Sequence, residues 1–515
     1  MREEPLPLAL PVGTAVASAA PPTSDLGARY ALQPGLELIA GEHGDAGRPE
    51  TGLLLSQRPL MAMRLNGSGF ALVSAVAGGG ARAAEAARAT GVSPTAAAGF
   101  LDRLADRRVL LRTPPPPARW PRVTIIIAAR GRHTSTRACV ASLLELDYPG
   151  PSPEIIVVDD ASEPPLAPAL AGLPIHVIRL ERNVGQSAAR NRAGAEAHGE
   201  LLAFIDNDCI ADPSWLQTLV PFLDDPGIAI AGGRVNAPPP SGVVTAFEAV
   251  RSPLDMGAIA GHVGPAEVVA YLPTCNFVIR RDAFLAAGGF APDMRLGEDV
   301  DLTWRVLRTG ARAWYEPSAR VTHHHRDRLG PLLRRRADYA SSEADLQRRH
   351  PQGRRVMPMP RASLFVLVAL TALSVSVPVA LALGVLVAAM LAGEVAEKRR
   401  RLSGLGVMLP ARRIAAAVLR EHGASLYGLS ANVIRYYGLP LLALAGLFPA
   451  LLPATALLFV LAPAMDHRRL KPACGLLAFV GLSWLEMFAY QLGVWRGCLA
   501  RRTLRPLLPM LHWRR

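Results

Sequence analysis

The longest uncharged stretch of this chain limits its fold more than any other feature. Residues 363–393 are 31 consecutive residues without a charged side chain. As one helix they would be about 46 Å long, against a bilayer core of about 30 Å. Two further apolar runs follow at residues 438–465 and at residues 473–495, the last of which contains Glu486. Because soluble cores rarely hold helices this long, the sequence predicts a membrane-associated helical region at residues 363–515.

The positive charge of the chain is concentrated in the same third. The formal net charge is +14. Residues 1–325 hold 29 basic and 33 acidic side chains, whereas residues 326–515 hold 27 and 9. Nucleic acid is the obvious partner of a basic protein, but positive charge that flanks apolar helices fits an anionic lipid surface better. We therefore expect membrane lipids as a partner, no nucleic acid, and a location at the cell membrane.

The basic residues also bear on how the apolar runs are arranged. They cluster before, between and after the three runs, and single crossings would put one or two clusters outside, against the positive-inside tendency. We hypothesise that the first two runs are hairpins that turn at Pro378 and near residues 449–453. This would keep the basic clusters and the preceding domain on the cytoplasmic face. The hypothesis does not assign a topology to the third run. Only two of the 56 basic residues are lysines, so an arginine bias of a GC-rich genome is the alternative.

The N-terminal part of the chain predicts a tail and a small domain. Residues 1–25 are rich in Pro and Ala and are expected to be disordered. Residues 26–113 show strand patterns, three helices and a last short strand in a winged-helix-like order. The predicted strands are residues 30–40, 51–63 and 109–111, the turn is residues 41–52, and the helices are residues 66–77, 81–90 and 93–107. Asn66 is the expected N-cap of the first helix, and consecutive prolines make residues 114–121 a stiff linker.

The next part of the chain alternates apolar strands with helices. The predicted strands are residues 123–128, 155–158, 175–180 and 201–205, and the helices are residues 135–145 and 186–197. This βαβ rhythm predicts a mostly parallel α/β sheet over residues 122–330. In such sheets the ligand lies beyond the carboxyl ends of the strands. Residues 331–362 follow as a basic linker.

Pairs of carboxylates stand at two of these strand ends. Asp159 and Asp160 follow one strand, where two carboxylates are costly unless they bind something, although Asp is also a common turn residue. Asp206 and Asp208 follow another, and carboxylates at this spacing can meet a hard divalent cation and a bound diphosphate. Ordinary loop chemistry explains the second pair as well.

Three other segments carry polar groups suited to a site. Gly185 precedes a helix whose N-terminus favours phosphate, and Arg190 and Asn191 add donors. Glu298 and Asp299 open an amphipathic helix, either as capping acids or as a carboxylate base. His323 follows a strand, and neutral imidazole can complete a metal site with the Asp pair, although an exposed polar run is an equal alternative.

The order and spacing of these segments are more specific than any one of them. Over residues 122–326 they resemble the family 2 glycosyltransferases, which have the GT-A fold. The resemblance implies transfer of a sugar from a nucleotide-diphosphate donor with inversion of the anomeric centre. It implies roles for the following residues: Ala129, Arg130, Asp159, Asp160, Gly185, Arg190, Asn191 and Asp206 with the nucleotide sugar; Asp206, Asp208 and His323 with Mg²⁺ or Mn²⁺; Asp299 beside Glu298 in catalysis; and Asn276, Gly289 and Arg305 on the acceptor side.

The N-terminal segment is similar to the small peptide-recognition domains of the PqqD type. With the transferase domain and the apolar, basic C-terminus, it resembles the glycosyltransferases of the mycofactocin system. That resemblance implies UDP-glucose as the donor and mycofactocin, a peptide-derived redox cofactor, or its precursor as the acceptor. One alternative is a rhamnosyl- or galactofuranosyltransferase that acts on a cell-wall or lipid-linked glycan, which needs no peptide-recognition domain. Another is an inactive transferase fold that delivers a peptide to the membrane.

Overall fold

The computed structural model describes residues 26–40, 51–57, 60–353, 356–404 and 406–514. Its N-terminal part contains two three-stranded sheets and three helices around one apolar core. The strands are β1 Arg29–Leu32, β2 Leu36–Ala40, β3 Thr51–Gln57, β4 Leu60–Asn66, β5 Ala81–Arg82 and β6 Leu110–Thr113, and the helices are α1 Gly67–Ala77, α2 Ala83–Thr90 and α3 Pro94–Asp106. Asn66 caps α1 as expected, since its Oδ1 accepts a hydrogen bond from the amide of Gly69 at 2.9 Å.

Two long strands predicted in this part are each divided in the structure. Gly35 has a φ of +85°, which breaks the first into β1 and β2. The second is the antiparallel pair β3 and β4. Apolar residues continue through both breaks, so the hydrophobic pattern alone concealed the turns. Most of the predicted turn at residues 41–52, and the whole tail at residues 1–25, lie outside the described residues.

The central part of the chain is a nine-stranded sheet with helices on both faces. Its strands are β7 Val123–Ala129, β8 Glu154–Asp159, β9 His176–Arg179, β10 Leu201–Phe204, β11 Cys209–Ala211, β12 Ile228–Asn236, β13 Gly261–His262, β14 Phe277–Arg280 and β15 Arg312–His323. The helices around it are α4 His133–Leu144, α5 Ala167–Leu170, α6 Gln186–Glu196, α7 Trp215–Leu219, α8 Val243–Arg251, α9 Arg281–Ala286, α10 Glu298–Leu307, α11 Leu329–Ser341 and α12 Glu343–Arg349. Ile125 and Ile126 belong to different core clusters, so both faces of the sheet are buried.

The sheet is mixed, and the prediction of a mostly parallel sheet was wrong. The strands run in the order β11-β15-β12-β14-β10-β7-β8-β9, with β13 paired to β15. The half from β10 to β9 is parallel, but β14 enters antiparallel between β10 and β12. An apolar strand pattern carries no information on direction, and antiparallel neighbours need no crossover helix. The parallel half nevertheless brings the carboxyl ends of β7, β8 and β10 to one edge, where the predicted site lies.

The C-terminal part is helical and apolar. Its helices are α13 Arg361–Leu373, α14 Val377–Ser403, α15 Ala411–Leu447, α16 Leu452–Leu470 and α17 Leu476–Ala500. Of these, α14, α17 and the segment Pro449–Leu470 are long and apolar enough to cross a membrane, which indicates membrane association. Two short parallel strands, β16 Val356–Pro360 and β17 Met510–Arg514, pair with each other before and after the helices.

Both predicted hairpins correspond to breaks between packed helices. The first apolar run is divided between α13 and α14, with Pro378 in the first turn of α14, where proline is tolerated. The second is interrupted by a 3₁₀ turn at Pro449–Leu451 between α15 and α16. In both cases the two helices pack against each other. The side of the membrane on which each turn lies stays a prediction.

Helix α17 packs closely against α11 of the central part. An added Cβ at Gly493 would collide with the carbonyl oxygen of Ala337, and one at Gly497 with that of Ser341. Glycines four residues apart therefore let the two backbones touch along one side of α17. Glu486, on the same helix, accepts a hydrogen bond from Nε of Arg336 at 2.8 Å. The last apolar run is thus covered in part by the central domain.

Because of this close packing, adding one methyl group at Gly493 should lower the stability of the chain. We expect Gly493→Ala to destabilise the chain by about 1–3 kcal/mol, because the new Cβ meets backbone that cannot move aside cheaply. Gly481→Ala on the same helix is the matched control, since nothing lies within 4 Å of a Cβ built there. Thermal unfolding of both variants in detergent measures the difference. Equal melting temperatures would contradict the close contact of α17 with α11.

Candidate active site

Strand pairing brings Asp208 and His323 together at one edge of the sheet. Cys209, the first residue of β11, lies opposite His323, the last of β15. Nε2 of His323 is consequently 3.4 Å from Oδ1 of Asp208. One ligand atom each of Asp208, Cys209 and His323 lies within 4.8 Å of the others. Asp208 and His323, which the sequence predicts as metal ligands, therefore lie in a compact cluster of potential ligands.

The donor set of this cluster fits a divalent cation. Asp208 is buried and already attracts one positive group, the guanidinium of Arg132. Nδ1 of His323 is buried and has no hydrogen-bond partner among the described residues, which is unusual for a buried polar atom. The carboxylate and the imidazole suit Mg²⁺ or Mn²⁺, whereas the Cys209 thiol belongs to the apolar core.

Arg190 connects the first carboxylate of the Asp-Asn-Asp segment to α10. Its side chain is buried, and its Nη2 donates to Asp206 at 2.6 Å. Its Nη1 donates to Glu298 at 3.0 Å, and Gln186 donates to the same carboxylate oxygen at 2.5 Å. Arg190 thus lies between two acids rather than at the surface of a pocket. It fixes the distance between Asp206 and the start of α10, where Glu298 lies.

Asp299 stands at the start of α10, next to Glu298. Gly297 caps this helix with a φ of +78°, which favours glycine, and the amide of Val300 donates to Asp299 at 2.8 Å. Burial, and then the neighbouring carboxylate of Glu298, raise the pKa of Asp299 to about 7. A carboxyl group with this pKa can accept a proton near neutral pH, as a general base requires.

A cavity of about 600 Å³ opens at the carboxyl ends of β7 and β8. Its lining includes Ala129, Arg130, Asp160 and Gly185, all of which the sequence had assigned to the nucleotide sugar. Asp160 accepts hydrogen bonds from the amides of Val184 and Gly185, at 2.7 and 2.9 Å. The carboxylate therefore holds the turn before α6 in place at the rim of the cavity.

Asp159 lies beneath that rim and has other partners. Its side chain is fully buried and accepts from the amides of Ser162 and Leu166 and from Arg179, at 2.8, 3.0 and 2.7 Å. These hydrogen bonds lower its pKa against the effect of burial. The structure places Asp159 as a support of the loop after β8, outside the lining of the cavity.

Four other predicted residues make contacts within the scaffold. Asn191 exchanges two hydrogen bonds with the backbone of Phe290, at 2.7 and 2.8 Å. The buried amide of Asn276 bonds Trp215 and the carbonyls of Arg234 and Ala319. Arg305 pairs with Asp301 and donates to the carbonyl of Gly289. They hold β14 and the turn before α10 in position.

Comparisons with known proteins show which family the chain belongs to. Residues 124–285 match the model of Glycosyl transferase family 2. Over 422 residues the chain is 30% identical to a pre-mycofactocin glycosyltransferase of Mycobacterium tuberculosis, which covers 79% of this chain and 86% of that protein. The chain belongs to the pre-mycofactocin glycosyltransferases. It is thus a family 2 glycosyltransferase, with a GT-A fold in its central domain.

Other proteins are similar to shorter parts of this glycosyltransferase. The glycosyltransferase AglE of Haloferax volcanii is 27% identical over 195 residues, 37% of this chain and 62% of that protein. A mannosyltransferase from Pyrobaculum calidifontis, solved in complex with GDP-Man and Mn²⁺, has a TM-score of 0.35 and 20% identity, over 62% of this chain and 89% of that one.

The site of this glycosyltransferase contains residues that the sequence did not single out. Arg132 lies two residues after Arg130, which the sequence assigns to the nucleotide sugar, and its guanidinium pairs with Asp208. His325 stacks on His323 with ring centroids 4.7 Å apart, and its Nδ1 is 3.9 Å from Glu248. In the sequence, only the run of three histidines at residues 323–325 pointed to the contact between His325 and Glu248. Glu248 lies in α8, and nothing in its local sequence relates it to the site.

Proposed function

We propose that this glycosyltransferase moves glucose from UDP-glucose to pre-mycofactocin or to a maturing form of it. One observation carries the proposal: the match to a pre-mycofactocin glycosyltransferase extends over 86% of that protein, well beyond the transferase domain. Similarity over that length supports the same acceptor for both proteins. The assignment of UDP-glucose as the donor rests on the resemblance of the sequence to the glycosyltransferases of the mycofactocin system.

The donor binds in the cavity beside Asp160 and Gly185, with Ala129 and Arg130 at its edge. The sugar and the diphosphate extend from there towards Asp206 and Asp208. Asp208 and His323, together with Asp206 two residues earlier in the chain, would hold a divalent cation, and its positive charge would offset the negative charge of the leaving diphosphate. The hydrogen bond from Arg190 keeps the carboxylate of Asp206 in position. Asp159 supports the same cavity through the loop after β8.

The acceptor hydroxyl loses its proton to Asp299 as it attacks the anomeric carbon. A single displacement by that hydroxyl inverts the anomeric centre. Gln186 and Arg190 both donate hydrogen bonds to the carboxylate of Glu298 and hold it inside the protein. Glu298 therefore acts through its charge and through its contact with Arg190. Glu298 is therefore a positioning residue, whereas Asp299 is the catalytic base. Asn276, Gly289 and Arg305 shape the acceptor side from within the scaffold.

The remaining parts of the chain serve location and recognition. Residues 26–113 form a PqqD-like domain, residues 114–121 a linker, and residues 122–330 the transferase domain. Residues 331–362 lead to the membrane-associated region at residues 363–515. Basic residues flank its apolar helices, which favours a cytoplasmic face for the transferase domain.

Mass spectrometry of a purified reaction tests the proposal. The full chain in detergent, with Mn²⁺, UDP-glucose and pre-mycofactocin extracted from cells that lack the transferase, should yield products heavier by one hexose unit or by several. GDP-mannose in place of UDP-glucose is the donor control, and EDTA should stop the reaction. If UDP-glucose is not consumed with this acceptor, the proposed function is wrong.

A further inference from the structure

A groove lies between α14 and the start of α15. Its volume is about 830 Å³, and most of its lining is apolar. Ala388, Ala392 and Val395 line it on α14, and Ala415 and Leu419 line it on α15. Because alanine fills little of the space between two helices, a channel stays open between them. The groove shares no residue with the cavity that we assign to the donor.

The groove changes from apolar to basic along its length. On α14 its lining passes from Ala388 through Ala396 to Arg399 and Arg400, and both arginines are exposed. A helix rise of about 1.5 Å per residue places them about 10 Å beyond Gly393, the last residue of the uncharged run. The headgroup layer is about 5–8 Å thick on each side of the bilayer core. Long arginine side chains can reach back into that layer, so the basic end of the groove lies at the depth of lipid phosphates.

The two arginines at this end are left without a neutralising acid. Residues 394–422 contain seven basic and three acidic side chains. All three acids already pair with other basic side chains: Glu394 and Glu421 with Lys398, and Glu397 with Arg401. Within the part of the chain that the structure describes, Arg399 and Arg400 form no ion pair. The positive charge at the mouth of the groove is therefore available to an anion from outside the chain.

The basic end of the groove lies on the side from which the chain enters the helical region. Helix α13 starts directly after β16 and packs against α14 across the break at residues 374–376. The two helices therefore run in opposite directions, and the end of α14 returns to the side of β16. The N-terminal sheet lies at the same end, since Leu53 and Leu55 of β3 pack with Leu402 of α14 in one apolar cluster. Val395 packs against that cluster and also lines the groove.

These features together select one kind of occupant. A second copy of the chain, paired about an axis normal to the bilayer, would bring the same arginines together at the same depth, where like charges repel. A lipid without net charge would leave the arginines uncompensated. An anionic phospholipid satisfies both ends of the groove, because its acyl chain is apolar and its phosphate accepts hydrogen bonds from guanidinium groups.

We propose that this groove is a binding site for an anionic phospholipid of the surrounding bilayer. One acyl chain lies along the alanines of α14, and the phosphate lies at Arg399 and Arg400. The bound lipid fills the space between α14 and α15 beside the contact with the N-terminal sheet, and so stabilises that contact. The inference goes beyond the proposed function, since it depends on neither the donor nor the acceptor.

Native mass spectrometry of the full chain in detergent, with added phosphatidylglycerol or phosphatidylcholine, tests the inference. The wild-type chain should bind one phosphatidylglycerol about tenfold more tightly than phosphatidylcholine. The double variant Arg399→Gln, Arg400→Gln should lose this preference. The matched control is the double variant Arg412→Gln, Arg413→Gln, which removes two exposed arginines of α15 outside the groove lining and should keep the preference.

The control separates a built site from general attraction to a basic surface. An equal loss of preference in both double variants would show only that general attraction and would overturn the site. Ala392→Trp fills the groove without changing its charge, so it should weaken the binding of both lipids, and unchanged binding would also overturn the site. A wild-type chain that appears as a dimer without bound lipid would assign the groove to a second copy. The melting temperature of each variant shows that it folds, and that of the wild type should rise with phosphatidylglycerol but not with phosphatidylcholine.

Discussion

Replacing Asp299 by asparagine should lower kcat by about 10³-fold, because the acceptor hydroxyl would then lose its general base. Asparagine has nearly the same size and keeps an acceptor for the amide of Val300, so the start of α10 should remain intact. The measurement is the release of UDP with saturating acceptor, alongside thermal unfolding. The matched control is Asp293→Asn, an exposed carboxylate that pairs with Arg349. A variant Asp299→Asn that retained a tenth of the activity would exclude this residue as the base.

The same carboxyl group should set the pH dependence of the reaction. Because the deprotonated form of Asp299 is the active one, and its pKa is raised to about 7, kcat should be low at acidic pH and rise through about pH 7. Glu298→Gln removes one of the two causes of the raised pKa, so the acid limb should move to lower pH in that variant. An acid limb that stays in place would contradict the coupling of the two carboxylates.

Replacing Glu486 by alanine should destabilise the chain by about 1.5–3 kcal/mol, because two buried arginines lose a charged hydrogen-bond acceptor that they share. Its carboxylate accepts from two arginines outside the membrane-associated region, Arg336 in α11 at 2.8 Å and Arg251 in α8 at 3.3 Å. Arg336 would retain Glu248, and Arg251 would retain Asp466. The loss of the shared acid should appear as a lower melting temperature in detergent and as faster proteolysis between the transferase domain and the helices.

Two further variants make this result specific. Glu397→Ala removes an exposed acid of α14 that pairs only with its helical neighbour Arg401 among the described residues, and exposed pairs of this kind contribute little. The variant Glu486→Gln keeps an oxygen that can accept from the arginines and should therefore lose less stability than Glu486→Ala. Equal melting temperatures for Glu486→Ala and Glu397→Ala would show that the buried pairs do not join the two parts.

The sequence predicts the elements of the transferase domain better than it predicts the contacts among them. The periodicity of apolar residues locates β7, β8 and β10, and the acids that follow them lie at one edge because parallel strands end together. The direction of β14 is not encoded in that periodicity, so the sheet could not be predicted as mixed. The resemblance to family 2 glycosyltransferases identifies Asp208 and His323 as partners, and the register of β11 with β15 explains why they meet.

Residue type alone could not separate the scaffold from the site. Asp159 and Asp160 are adjacent and chemically identical, yet one is bound by Arg179 and two amides below the cavity while the other lies at its rim. That difference depends on which backbone amides surround each carboxylate. Likewise Arg336 contacts Glu248 and Glu486, which are 88 and 150 residues away in sequence. Contacts over such separations follow from tertiary packing and leave no local pattern.

The pairing of β16 with β17 determines a property of the helical region as a whole. The chain enters that region directly after Val356–Pro360 and leaves it directly before Met510–Arg514, and these two segments are hydrogen-bonded side by side. Both ends of the region are therefore on the same side of any bilayer that surrounds its helices. A path that starts and finishes on one side has even parity: the number of complete crossings is even. Three single passes, one each by α14, the segment Pro449–Leu470 and α17, would give odd parity and would separate the two strands by the full thickness of the membrane.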